Sequence, residues 1–161
     1  MLYIFLFLGV FWSGANPLMK DYSILQVLFI PFVLGGGIAI YHYRSPGEKG
    51  ILNKTIVGVG INLISALIFS IFLTAFLSGK PELYHEFIDS SVEFLKSNKE
   101  QFVAYSGEEE YEQTLIEVGN ATKKDVILDD FLKKVGLGLP FVILFVLLFF
   151  SLPNYFGRPN N

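Results

Sequence analysis

The chain has 161 residues, a formal net charge of −3 and no cysteine. This excludes disulfide scaffolds, thiolate metal sites and cysteine nucleophiles, and leaves a nucleic-acid role without electrostatic footing. Mean hydropathy is +0.51 and 52% of residues are apolar, too much for a water-soluble domain of this length.

Long continuous apolar runs point to an all-α integral membrane protein, because a chain crossing lipid must satisfy its backbone in helices or a closed barrel. Four transmembrane helices are expected in a single membrane domain, 1–161. The first, about 2–16, carries "LYIFLFLGVFWSGA". It is short for a crossing and lacks the basic flank of a signal peptide, so a helix that starts further upstream is expected. Asn16-Pro17 closes it, since Pro disfavours the helical region in the residue before it. The second span, 24–43, should bend or loosen at Pro31 and at Gly35-Gly36-Gly37. Pro46-Gly47 marks a turn in the connector. The third span, 51–78, would rise about 42 Å as a helix, more than a bilayer core of ~30 Å, so it tilts or projects into water.

Residues 79–135 form an amphipathic helical insert between helices three and four, with thirteen acidic and seven basic residues. Pro81 suits a first helical turn. Leu83, Tyr84, Phe87, Ile88, Phe94 and Leu95 then recur near helical spacing. Ser106-Gly-Glu-Glu109 reads as a capping box for a second helix ending at Gly119-Asn120. Thr122-Lys-Lys-Asp125 caps a third segment, in which Asp129 with Lys133 and Asp130 with Lys134 are i,i+4 pairs. That segment is expected to run straight into span four, 136–152.

The informative pattern lies in span three. Gly58, Asn62, Ala66, Ser70, Thr74 and Ser78 are all small or polar, and the positions between them are mainly Ile, Leu, Val and Phe. An i,i+4 row follows one helix face with a slow drift. In lipid, helices associate through close packing over small residues and interhelical hydrogen bonds, so this row reads as a helix-packing seam. Gly35 and Ala39 offer a shorter partner row in span two. Span four, nearly all Leu, Phe and Val, is expected to be the most lipid-exposed. A polar path along the seam is the functional alternative, but no ionisable group is expected well inside any span.

Tyr41, Tyr43, Arg44, Lys49 and Lys54 cluster around the connector. Arg binds phosphate through its planar fork, and aromatic residues with Arg at a helix end form the ordinary interfacial belt. Anionic lipid is therefore the expected contact. His85 among Glu82, Glu86 and Asp89 reads as a solvated face, and Glu108-Glu109-Glu110 as anions at a helix N-terminus. No catalytic constellation, cofactor site or metal site is recognised, and no enzyme is expected.

The order of features resembles the bacterial membrane family called domain of unknown function 4199. The resemblance rests on "FW…NPL", "LFIPFVLGGGIAIYHYR", "GILNKTIVGVGINLISALIFSIF", "EEEYEQTLIEV" and "DDFLKKVGLGL", and covers nearly the whole chain. It implies a four-helix protein of the bacterial cytoplasmic (inner) membrane, with an insert between helices three and four. Members usually carry a basic N-terminus and a basic tail. This chain has neither, and the first departure favours a truncated start. The resemblance also implies both termini cytoplasmic and the insert outside. It brings no activity, since the family has none assigned. The function expected is a non-catalytic assembly or accessory subunit, with membrane lipids and a membrane-protein partner or homo-oligomer as partners. The alternatives are a small channel or transporter, and an envelope or lipid sensor using the insert.

Overall fold

A computed structural model describes residues 2–44 and 50–151, and every regular element among them is helical. In chain order these are α1 (Leu2–Trp12), α2 (Lys20–Arg44), α3 (Ile51–Gly79), α4 (Pro81–Ser97), α5 (Lys99–Ser106), α6 (Glu108–Asn120) and α7 (Lys123–Ser151). Three of them, α2 over Val27–Arg44, α3 and α7, are long and apolar enough to cross a membrane.

The expected span at 2–16 is shorter in the structure. α1 has 11 residues, about 16 Å of rise, roughly half of a bilayer core of ~30 Å. It ends where Gly14 takes φ +84, a left-handed conformation open to glycine. The turn after it is tied down. Asn16 is buried and accepts a hydrogen bond from the Leu18 backbone N–H at 3.0 Å. Its side-chain amide donates to Leu83 O at 2.8 Å and to Glu86 Oε2 at 3.2 Å. The start of the insert is thereby fastened to the α1–α2 turn.

α2, α3 and α7 form the central layer. α3 and α7 run antiparallel along their full lengths. Lys54 meets Phe149, Gly58 meets Val142, Asn62 meets Val135, Phe69 meets Lys134 and Leu77 meets Lys123. α2 closes on both partners, with Ile38 against Gly58, Gly37 against Ile61 and Gly35 against Phe145. Pro31 sits inside α2 and Pro140 inside α7, and neither ends its helix. In keeping with the expectation that span four is the most lipid-exposed, the α7 span is 22% buried against 28% for those of α2 and α3, although α7 packs against both. A Leu/Phe/Val helix keeps an apolar surface whichever face it buries, so composition cannot choose the face.

α1 packs on the last third of α3 through edge-on aromatic contacts. Phe7 meets Phe69, Phe72 and Phe76 at ring separations of 5.8, 5.5 and 5.1 Å. Phe11 meets Phe76 edge-on at 5.1 Å. Such pairs add about 0.5–1.5 kcal/mol beyond burial, enough to dock so short a helix.

The insert begins abruptly. Lys80, which precedes Pro81, takes φ −137 and ψ 65 and leaves the helical region, as residues before proline do. α4 is amphipathic, buries Leu83 and packs against α6. α5 and α6 form a tight hairpin about Gly107 (φ +89). There Lys99 Nζ lies 2.5 Å from Glu108 Oε1 and 5.1 Å from the centre of the Tyr111 ring. The capping box expected at Ser106–Glu109 does not form; Ser106 belongs to α5 and α6 has no side-chain cap. The chain breaks at the residue that accepts positive φ, one place later. The Thr122–Asp125 cap does form, with the Thr122 hydroxyl donating to Asp125 Oδ2 at 2.7 Å. α7 then continues without interruption from that cap into the apolar run.

Candidate functional site: seam and cavity

Gly58, Asn62 and Ala66 are buried between α3, α2 and α7 as the seam requires, but Ser70 is half-buried and Thr74 and Ser78 are exposed. Their hydroxyls donate to carbonyls one turn back, Ala66, Ser70 and Thr74. The cause is helix geometry: at 3.6 residues per turn each i,i+4 step rotates about 40°, so five steps carry the row halfway around the helix. The buried face passes instead to Phe69, Leu73 and Leu77. In α2 the buried row is Ile30, Leu34, Ile38 and His42. Gly35 and Gly37 flank it at the closest approaches, and Ala39 is half-buried. α7 has its own row, in which Val126, Lys134, Gly138, Val142 and Val146 are buried and Asp130 is half-buried.

Two ionisable side chains of this layer are buried against neighbouring helices. Lys54 is 2% exposed and donates to Phe149 O at 3.0 Å. A lysine there serves the carbonyl end of α7, where the helix dipole favours a cation. Lys54 therefore turns into the bundle. Lys134 is 6% exposed. It pairs with Asp130, and its ammonium sits 4.1 Å from the centre of the Phe69 ring, a cation–π contact that is strongest when desolvated. Between the two lysines, the Asn62 amide donates to Val135 O at 2.9 Å and lies directly over Gly138.

Of the other connector residues, Tyr43 and Arg44 are exposed and Tyr41 is half-buried. Lys49 lies outside the described residues. His42 points inward, 5.7 Å from the Phe149 ring. His85 is exposed beside Tyr84, and no group of three metal-ligating side chains occurs among the described residues.

The chemistry concentrates elsewhere, in a cavity of about 740 Å3 between the insert and the bundle. α1 and α3 supply Phe7 and Phe69, the α1–α2 turn supplies Leu18 and Met19, and α4 supplies Phe87 and Phe94. The polar groups on its wall include Ser90, Ser91, Asp129, Asp130 and Lys133. Asp129 pairs with Lys133. Asp130 gives Oδ1 to Lys134, while its Oδ2 is buried and accepts no hydrogen bond among the described residues. Sequence reading identified both acid–lysine pairs without assigning either to a buried face. The overlooked signal was spacing: Asp130 and Lys134 fall in the same every-fourth-residue row as Gly138 and Val142, and that row is the buried face.

No family model, curated protein or solved structure matches the chain.

Proposed function

We propose that the chain is a small multi-pass subunit of the bacterial inner membrane that assembles with another membrane protein or with copies of itself and performs no catalysis. The observation that carries this reading is the use of the polar side chains on the seam. Lys54 and Asn62 of α3 each donate to a carbonyl of α7, and Lys134 of α7 lies against the Phe69 ring of α3. An ion path along this seam would require these α3–α7 contacts to break, so the arrangement favours a rigid helix layer over a channel.

The outward face of α3 supports a partner. Leu52, Ile56, Ile64, Leu67 and Ile71 are each more than half exposed, and α1 covers only the far end of the helix through Phe69–Phe76. That apolar strip can pack against lipid or against a second protein's helix, where close packing supplies the affinity.

A mild-detergent pull-down of the tagged chain from its host, with mass spectrometry and stoichiometry, tests the reading. A partner near one-to-one, or a defined homo-oligomer, is expected. Recovery as a lone monomer refutes it. The resemblance to family 4199 supports a topology with both termini cytoplasmic and the insert outside. The absence of native cysteine makes that directly testable. A cysteine placed at Glu109 should react with a membrane-impermeant maleimide in intact cells; protection until the cells are opened would reverse the orientation.

A further inference from the structure

We infer that the cavity between the insert and the bundle is a slot for a single hydrocarbon chain, whose polar end stays at a charged rim. At 740 Å3 the space falls among ligand sites, which run about 300–1,000 Å3. α4 makes the hollow. It lines the cavity with Phe87, Ser90, Ser91, Phe94 and Leu95, so two small residues interrupt an otherwise bulky face. The Ser91 hydroxyl turns back on its own helix and donates to Phe87 O at 2.7 Å. Its proton is therefore not offered to a ligand. From Phe87 to Leu95 the lining helix rises about 12 Å, and from Val126 to Lys133 α7 rises about 10 Å along the same cavity. A slot of that length takes a run of methylenes.

Burial decides which end of the ligand goes where. The buried lining residues, Phe7, Pro17, Phe69 and Val126, are all apolar. Phe94 is 52% exposed, and the side chains of Asp129 and Lys133 are 58% and 68% exposed. The floor is thus apolar and the rim charged. Asp129 and Lys133 lie 2.5 Å apart and pair with one another, and Asp130 is engaged by Lys134. None of these charges waits for a headgroup. A tail laid on the floor leaves water without taking a charge with it, which is the favourable way to fill such a space. The recognised chemistry is the hydrocarbon tail, whether it arrives as a free fatty acid or as an acyl chain of a membrane lipid.

The test uses the full-length chain, stripped of lipid and held in amphipol. Trp12 is the sole tryptophan, so Trp12→Phe with Phe87→Trp puts the only indole in the cavity wall. Brominated dodecanoate should quench it saturably, and should leave Trp12→Phe with Tyr105→Trp, at a site 92% exposed on α5, largely unquenched. Unlabelled fatty acids from octanoate to hexadecanoate then compete. Each methylene should tighten binding by up to about fourfold, ~0.8 kcal/mol, until the slot is full; longer chains should gain nothing more. Dodecanol should compete as well as dodecanoate. Ser91→Phe, which fills the hollow, should move the plateau to shorter chains. Leu95→Trp repeats the quenching from another position on α4 if Phe87→Trp does not fold. A phosphatidylcholine with brominated acyl chains separates the sources: quenching by it assigns the slot to bilayer lipid, and quenching by the free acid alone assigns it to fatty acid. Quenching no greater at the wall than at position 105 overturns the site. Affinity that keeps rising with chain length overturns the slot, because partition onto a surface has no such limit. A requirement for the carboxylate overturns the tail as the recognised part. The readout is made on the chain alone and does not depend on whether a protein partner is found.

Discussion

The contact between Asn62 and Gly138 offers the sharpest test of the packing. A Cβ built at Gly138 collides with the Asn62 amide group, both of its polar atoms included. Gly138→Ala must therefore push that amide away from Val135 O, which it now holds at 2.9 Å. Overpacking a tight site costs about 1–3 kcal/mol. The interhelical hydrogen bond adds about 0.6 kcal/mol, the average for such bonds in a membrane. Alanine returns up to ~1 kcal/mol through better helix propensity. The net expectation is a loss of about 0.6–2.6 kcal/mol when alanine returns its full share, with overpacking the deciding term. Asn62→Ala removes both the obstacle and the bond, so in that background Gly138→Ala should be neutral or stabilising. The four variants form a double-mutant cycle, read by detergent-induced unfolding in mixed micelles. Equal costs for Gly138→Ala in the two backgrounds would mean that the amide does not occupy the space above Gly138, and the reasoning would be wrong.

Other substitutions separate the two halves of the small-residue row. Ala66→Leu, at a site 1% exposed, should cost about 1–3 kcal/mol, whereas Ser70→Leu, whose hydroxyl only bonds back to its own helix, should shift thermal unfolding much less. Lys54→Met should be tolerated, since replacing a buried polar side chain by an apolar one of similar size is often neutral. Lys54→Glu, which sets a carboxylate against the carbonyl end of α7, should sharply lower the yield of folded protein in detergent. Asp130→Ala should destabilise by about 3–5 kcal/mol, as expected when a buried cation loses its partner, and adding Lys134→Met should recover much of that loss in the same unfolding assay. In the insert, the Glu108 hydrogen bond and charge hold the Lys99 ammonium above its ordinary value of 10.5. Its folded pKa is raised, so the contribution of this pair is complete below the unfolded value and is lost as pH climbs through the folded one. Hydrogen exchange of the α5–α6 hairpin should therefore be insensitive to this pair between pH 7 and 9, after correction for intrinsic rates, and its protection should fall only in stronger alkali; a fall near pH 8 would contradict the pairing.

Much of the architecture was legible because lipid imposes a simple rule. A chain that cannot use water to satisfy its backbone must write long apolar helices into its sequence, and α2, α3 and α7 are read directly from those runs. The Thr122–Asp125 cap and the Asp129–Lys133 and Asp130–Lys134 pairs were equally visible, since each depends on residues three or four apart. The seam was legible at Gly58, Asn62 and Ala66 and misread beyond them, because a fixed four-residue step rotates away from a fixed partner. The length of α1 was hidden, as Ser13 and Gly14 look like small residues within a span until the positive φ of Gly14 ends the helix.

By itself the sequence determined helix class, the long apolar spans and the Thr122–Asp125 cap, all of which arise from hydrophobicity and short-range hydrogen bonding. Only the tertiary structure decided which face of α7 is buried. That choice sets Asp130 in the wall of a cavity with Lys134 buried beside it, and sets Lys54 at the carbonyl end of α7. Burial is a property of neighbours. The neighbours of α7 are α3, whose contacts with it join residues 46 to 95 apart in the chain, and α2, which is earlier still. No local pattern specifies that meeting; it follows from antiparallel packing of whole helices.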